Sequence, residues 1–331
     1  MAEKWVAVTG AGGYIGGQTV LKFKDMGYSV LGCDRNNTSS WIRDICDSYV
    51  PGDFTNAMFL HQILDLKPAT IVHCAGTSLV GPSVTNPAVY YMNNVGQTAR
   101  LMVQLAGIKW EGTFIFSGSA AVYGNPTESL LKENSPTLPI SPYGHSKLMV
   151  EQLLRDCAKA YNINTISFRY FNASGADSQV RHGQLKQATH LIARVIESII
   201  NKDVFTLNGI DYDTHDGTCV RDYLHVEDIA NAHYLGSLYG SGLDKGTSKE
   251  FNLGTGKGIS IREIISSVEK ITGEVPLIHT GPRREGDPAT LVASAYSFTK
   301  TTKWKPEASG VDNIVKTAWD WYNSSLYQDR A

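Results

Sequence analysis

Thr9-Gly10-Ala11-Gly12-Gly13-Tyr14-Ile15-Gly16 follows directly on the apolar run Trp5-Val6-Ala7-Val8 and opens a helical pattern. Glycine at 10, 13 and 16 leaves backbone N–H groups uncovered at a helix N-terminus, where unpaired amides and the macrodipole favour negative charge. A phosphate suits that arrangement. Ile15, Thr19, Val20, Phe23 and Met26 then recur at helical spacing, Lys22, Lys24 and Asp25 fall off the stripe, and Gly27 stops the helix. Asp34 closes the next apolar run, 18 residues after Gly16. An acidic side chain there accepts hydrogen bonds from ribose hydroxyls and repels a 2′-phosphate, which favours NAD over NADP. Arg35 beside it can pair with such a phosphate and pulls the other way. Gly52-Asp53-Phe54 reads either as a carboxylate and ring beside an adenine or as a plain turn. His73-Cys74-Ala75-Gly76 ends a strand in small residues that let backbone lie against a cofactor.

Outward from this unit, short apolar runs return at 70–74, 112–117 and 164–169, each separated from the next by a segment of helical character. Only crossover helices join strands that run the same way, so the sheet is expected to be parallel. The fold class is α/β: a Rossmann-type doubly wound parallel sheet with a smaller C-terminal substrate-binding α/β lobe. Residues 1–172 form the dinucleotide-binding domain, completed by about 214–246; 173–213 and 247–331 form the second lobe. A helix is expected from about 188 to 201, another over 311–322, and a loop over the substrate at 174–187.

The 331 residues allow one large domain or two joined ones. Lys and Arg number 30 against 32 Asp and Glu, a net charge of -2, so the field that draws nucleic acid or anionic membranes is missing. Five scattered cysteines without a CxxC pair suggest neither disulfides nor zinc, and no metal is expected. With no export or anchoring signal read at the start, a reducing cytoplasm is the expected compartment.

Pro142-Tyr143-Gly144-His145-Ser146-Lys147 opens another helical pattern. Tyr143 and Lys147, four apart, share one face. A phenol titrates near pH 10; an adjacent ammonium, helped by an oxidised nicotinamide, stabilises the phenolate and makes it a usable base. Ser119, in Phe116-Ser117-Gly118-Ser119-Ala120 at a strand end, can reach the same substrate oxygen. His145, His190 and His225 have no ligand spacing and read as structural.

Those segments resemble the extended branch of the short-chain dehydrogenase/reductase superfamily, and within it the UDP-hexose 4-epimerases. Tyr90-Tyr91-Met92-Asn93-Asn94-Val95, Arg169-Tyr170-Phe171-Asn172, Asp216-Gly217-Thr218-Cys219-Val220-Arg221-Asp222-Tyr223 and Pro282-Arg283-Arg284-Glu285-Gly286-Asp287 extend the likeness nearly end to end. The resemblance implies tightly held NAD, a UDP-sugar substrate, a homodimer, and C4 epimerisation through a transient 4-keto sugar with Tyr143 as base, Ser119 steadying the 4-oxygen and Lys147 on the nicotinamide ribose. It places Gly10, Gly13, Tyr14, Ile15, Gly16, Asp34, Arg35, Asn36, Asp53, Phe54, Cys74, Ala75, Gly76, Ser78, Asn93, Ser117, Tyr143, Lys147 and Tyr170 at the cofactor. On the substrate it places Ser119, Tyr143, Phe171, Asn172, His190, Leu191, Asn208, Arg221, Arg284, Asp287 and Leu291, with both arginines at the diphosphate and Asp287 at the uridine ribose.

Two positions depart from the family pattern. Ser78 stands where a lysine is common, and Leu291 where a bulky tyrosine is common; the smaller side chain leaves room for N-acetylated UDP-hexoses. A 4,6-dehydratase needs an acidic pair beside the serine, which Ser119-Ala120-Ala121 does not supply. The alternatives left open are a non-catalytic dinucleotide or nucleotide-sugar sensor, or another sugar-nucleotide oxidoreductase of the superfamily.

Overall fold

The computed structural model describes residues 4–35, 40–185, 189–284 and 287–330. Seven strands make one sheet: β1 (Trp5–Thr9), β2 (Ser29–Asp34), β3 (Ser48–Pro51), β4 (Thr70–His73), β5 (Thr113–Ser117), β6 (Asn164–Tyr170) and a seventh, Ser248–Leu253. Their spatial order is seventh, β6, β5, β4, β1, β2, β3, and every pairing is parallel. Side chains alternate between two buried faces, as a sheet covered on both sides requires. Val6, Val8, Val72 and Ile115 pack with Val20 and Phe23 of α1 (Tyr14–Asp25), whereas Ala7, Ile71, Phe114 and Phe116 pack with Leu101, Leu105 and Val150. Strand order reverses between β1 and β4, and the crevice above their carboxyl ends is where ligands of such sheets bind.

The domain boundary expected at 247 is corrected by the seventh strand, which pairs with β6 from Ser248↔Thr165 to Leu253↔Tyr170. Phe298 and Trp304 likewise join the core of the first lobe, against Phe168 and Phe251. Parallel pairing across such a long sequence separation leaves no local mark. Met26, read as part of the helical stripe, lies past the helix end and is exposed, because Gly27 at φ +76° turns the chain away.

The smaller lobe packs helices Leu191–Asn201, Ile261–Thr272 and Val311–Tyr322 around Ile196, Ile264, Ile314 and Trp321. Its first helix begins at Leu191, after 189 and 190, which were expected to be helical; 188 lies outside the described residues. The stretch read as a loop over the substrate is instead fastened to α1 through much of its length. Tyr14 Oη donates to Gly175 O (2.7 Å), Gln18 Nε2 to Asp177 Oδ2 (2.9 Å), and Arg181 bridges Asp177 and Asp25. His182 Nε2 meets Tyr14 O at 2.9 Å. Buried polar groups need partners, and here each lobe supplies the other's.

Candidate active site

The glycine loop is as bare as a phosphate cradle needs. Gly10 sits at φ +70°, and a Cβ there would lie 2.7 Å from Ala75 N; one at Gly16 would lie 1.9 Å from Gly10 O. Gly13 N donates to Gly10 O (3.0 Å) and Gly10 N to Cys33 O (2.8 Å), which ties the turn to β2. The Asp34 carboxylate stands at the rim of the loop and accepts from Gly12 N at 2.9 Å. This donor set and its acidic neighbour fit an adenine dinucleotide. Arg35 is exposed, and Asn36 lies outside the described residues. Asp53 Oδ1 accepts from Thr55 N (2.9 Å) and Oγ1 (2.8 Å) within a turn, and the Phe54 ring is packed on His73, centroids 4.7 Å apart.

The helix Pro142–Tyr161 starts where Ser141 Oγ accepts from Gly144 N (3.1 Å), with proline in the first turn. That cap brings Tyr143 and Lys147 to the end of β5. Ser119 caps a short 3₁₀ turn, Ala120–Tyr123, accepting from Ala121 N (3.2 Å), and its side chain lies near enough to the Tyr143 phenol to favour the phenolate. Lys147 Nζ donates to Ser117 O (2.7 Å) and lies 4.8 Å from the Phe116 ring centroid and 5.7 Å from that of Tyr143. Burial lowers the Lys147 ammonium to about 8. Tyr143 differs from the sequence expectation. Burial raises its phenol above 10, and the opposing effect of Ser119 is the weaker influence. In the protein alone, burial outweighs what favours the Tyr143 phenolate.

The remaining cofactor-side residues gather here. A Cβ at Gly76 would be 3.1 Å from Asn94 Oδ1 and 3.8 Å from Lys147 Nζ. Burial pushes the Cys74 thiol up to about 12, and Tyr170 touches Ser117 and hydrogen-bonds His233. Ser78 offers its carbonyl to Tyr90 Oη (3.0 Å). Asn93 Nδ2 donates to Thr77 Oγ1 (2.9 Å), but sequence reasoning missed its neighbour. Asn94, buried, accepts from Thr77 N (2.7 Å) and donates to Thr77 O and Ser146 Oγ. The π-helical turn Tyr91–Gly96 aims it there, and a π turn breaks the 3.6-residue period on which sequence reading depends.

On the substrate side, Arg221 and Asp287, expected on different parts of a ligand, face each other at 3.5 Å. The Asn208 amide, oriented with oxygen toward Arg284, accepts from Nε (3.1 Å) and Nη2 (3.2 Å). Asn172 Nδ2 donates to Asp222 O (3.1 Å). Leu291 pairs with Arg221 across two short strands and packs, with Leu148, against the cluster containing Phe171 and Tyr123. The His190 ring is used by the protein itself, against Tyr14 (centroids 5.7 Å) and Gln184 Oε1 (3.1 Å), and burial holds it neutral at about 4. Leu191 opens the helix beside it, half-buried. His225 caps the helix Val226–Ser241 and bonds Thr317, a structural role. No metal-ligating cluster occurs among the described residues.

A family model described as the NAD dependent epimerase/dehydratase family matches residues 6–254. The chain belongs to that family. It is 37% identical over 323 residues to the UDP-glucose 4-epimerase of Halalkalibacterium halodurans, covering 96% of this chain and 95% of that one. Among solved structures, the UDP-glucose 4-epimerase of Brucella ovis in complex with NAD superposes with a TM-score of 0.90 at 35% identity, covering 96% and 98%. The UDP-Glc/GlcNAc 4-epimerase of Campylobacter jejuni superposes at 0.80 with 34% identity and the same coverage. Among the described residues, no helix is long and apolar enough to cross a membrane.

Proposed function

We propose that the protein interconverts C4 epimers of a UDP-hexose with NAD held in the glycine crevice. One observation carries the reading: Tyr143, with Ser119 near its phenol, stands one helical turn from a buried Lys147 whose ammonium is fixed on the Ser117 carbonyl at the end of β5, beside the sheet's reversal point. Gly10, Gly13, Gly16 and Asp34 hold NAD, which when bound takes up and returns the C4 hydrogen as hydride and adds positive charge beside Tyr143. Tyr143 removes the proton from the 4-hydroxyl and gives it back. Ser119 keeps the 4-oxygen within reach during the transfer, and Lys147 holds the nicotinamide ribose while its charge favours the phenolate. Arg221 and Arg284 take the diphosphate, and Asp287 leaves Arg221 for the uridine ribose. Oxidation and reduction cancel over the cycle.

The finer reading is that N-acetylated UDP-hexoses are accepted. Leu291, paired with Arg221 and packed on the cluster of Tyr123 and Phe171, is smaller than the tyrosine common there and leaves more room. A homodimer is supported by apolar side chains exposed on two mutually packed helical segments: Val89, Met92 and Val103 on one, Met149 on the other. A cytoplasmic location accords with five free cysteines.

The test is to denature purified protein and assay for released NAD, then incubate fresh protein with UDP-galactose and UDP-GlcNAc without added cofactor. Released NAD with both C4 epimers formed supports the reading. Protein inert toward every UDP-sugar would favour a sensor, and turnover confined to UDP-glucose and UDP-galactose would sink the N-acetyl reading.

A further inference from the structure

Glu151 lies two helical turns beyond Tyr143 and one beyond Lys147, so the three share one face of the helix Pro142–Tyr161. Its carboxylate is fully buried, yet the epimerisation scheme gives it no task. Arg169 on β6 grips it with both arms, Nε to Oε1 at 3.0 Å and Nη2 to Oε2 at 2.8 Å. The third nitrogen, Nη1, donates to Tyr123 Oη (2.8 Å) and Glu133 O (3.0 Å). Tyr123 ends the 3₁₀ turn that Ser119 caps, and its hydroxyl is donated on to Asn252 Oδ1 (2.7 Å). A buried pair of this kind is weak support for stability, since apolar residues of equal volume often serve as well. Its placement behind the proton-transfer groups calls for another account.

We propose that Glu151 is a positioning residue for proton transfer: its buried carboxylate, one turn behind Lys147 and clamped by Arg169, keeps Lys147 an ammonium beside Tyr143. This rests on the reading of Tyr143 as base and Lys147 as its charged partner.

The surroundings of Lys147 single out Glu151. On its own helix stand Tyr143 and Glu151, and β5 contributes the Phe116 ring and the Ser117 carbonyl. The end of β4 contributes His73, which burial holds neutral at about 3, and Cys74, whose thiol is pushed up to about 12. From β6 come Tyr170, a phenol that burial also keeps protonated, and Arg169. Among these groups the one carboxylate is Glu151, ion-paired with Arg169. Burial drives the Lys147 ammonium down, Cys74 is too weak an acid to oppose it, and Glu151 is left to do so. Arg169 fixes where that carboxylate lies and offsets part of its charge.

The test separates charge from shape. Glu151→Gln keeps the length and an oxygen for Arg169 but loses the charge; Glu151→Asp keeps the charge and shortens the arm. The pH dependence of kcat for UDP-galactose conversion is measured on wild type and both variants as NAD-loaded protein, alongside thermal unfolding. Glu151→Gln is expected to move the alkaline limb about one pH unit lower or more, the size of one charge a helical turn away with Arg169 left in place. Glu151→Asp is expected to leave that limb with wild type even where its melting temperature falls. If Glu151→Gln does not fold, Glu151→Gln with Arg169→Gln, which removes both charges and keeps paired amides, is expected to move the limb in the same direction by a smaller amount, because the offsetting Arg169 charge goes too. A limb that stays with wild type when the charge is gone, or moves as far in Glu151→Asp as in Glu151→Gln, overturns the proposal. Wild type without epimerase activity, or full activity in Tyr143→Phe, would instead overturn the functional reading beneath it.

Discussion

Lys147→Met should make the protein inactive without making it weaker. Burial holds the Lys147 ammonium at about 8 against 10.5 for an unperturbed lysine. At ~1.36 kcal/mol per unit, that gap of about 2.5 units is a cost of roughly 3.4 kcal/mol carried by the folded state at pH 7. Methionine removes the cost but also the donor to Ser117 O, and a carbonyl left without its partner costs ~1–3 kcal/mol. The variant is therefore expected to lie between equal to wild type and about 2 kcal/mol more stable. The sharper signature is in the pH dependence. Between about pH 8 and 10.5 the unfolded wild-type chain holds this proton and the folded one does not, so wild-type stability rises with pH relative to the variant. Urea unfolding of both proteins, with bound nucleotide removed, should show their stability difference shifting toward wild type by about 3 kcal/mol across that window, then levelling. Other alkaline groups titrate in both proteins and cancel. A flat difference would mean that Lys147 is an ordinary solvated ammonium, and the reading of its burial would fail.

Tyr143→Phe should lower kcat by ~10²–10⁴ while leaving the fold and NAD retention intact, since it removes the proton acceptor and keeps the ring; turnover and released NAD are the two readouts. Gly16→Ala places a Cβ 1.9 Å from Gly10 O, so the purified protein should carry little or no NAD, measured in the denatured supernatant. Leu291→Tyr should reduce UDP-GlcNAc turnover by ~10-fold or more relative to UDP-glucose, as kcat/KM for the two sugars will show.

The parts of the molecule that were legible in the sequence are those whose physics is local. The glycine loop needs only a strand before it and a helix after it, and Tyr143 with Lys147 needs only the helical period. The parts that were not legible depend on distant partners. Ser248–Leu253 pairs with β6 from far along the chain, and 175–184 looks like a polar loop until α1 is seen to supply its partners. Asn94 is aimed by a π turn that periodicity does not register, whereas the adjacent Asn93 was singled out. The raised phenol of Tyr143 was missed because burial has no sequence signal, while a nearby lysine does.

The most direct test of epimerisation with an internally retained hydride uses UDP-galactose carrying deuterium at C4, incubated with the protein and no added nucleotide. UDP-glucose retaining deuterium at C4, with no net NADH, is expected. Loss of the label to solvent, or conversion that depends on added cofactor, would contradict it.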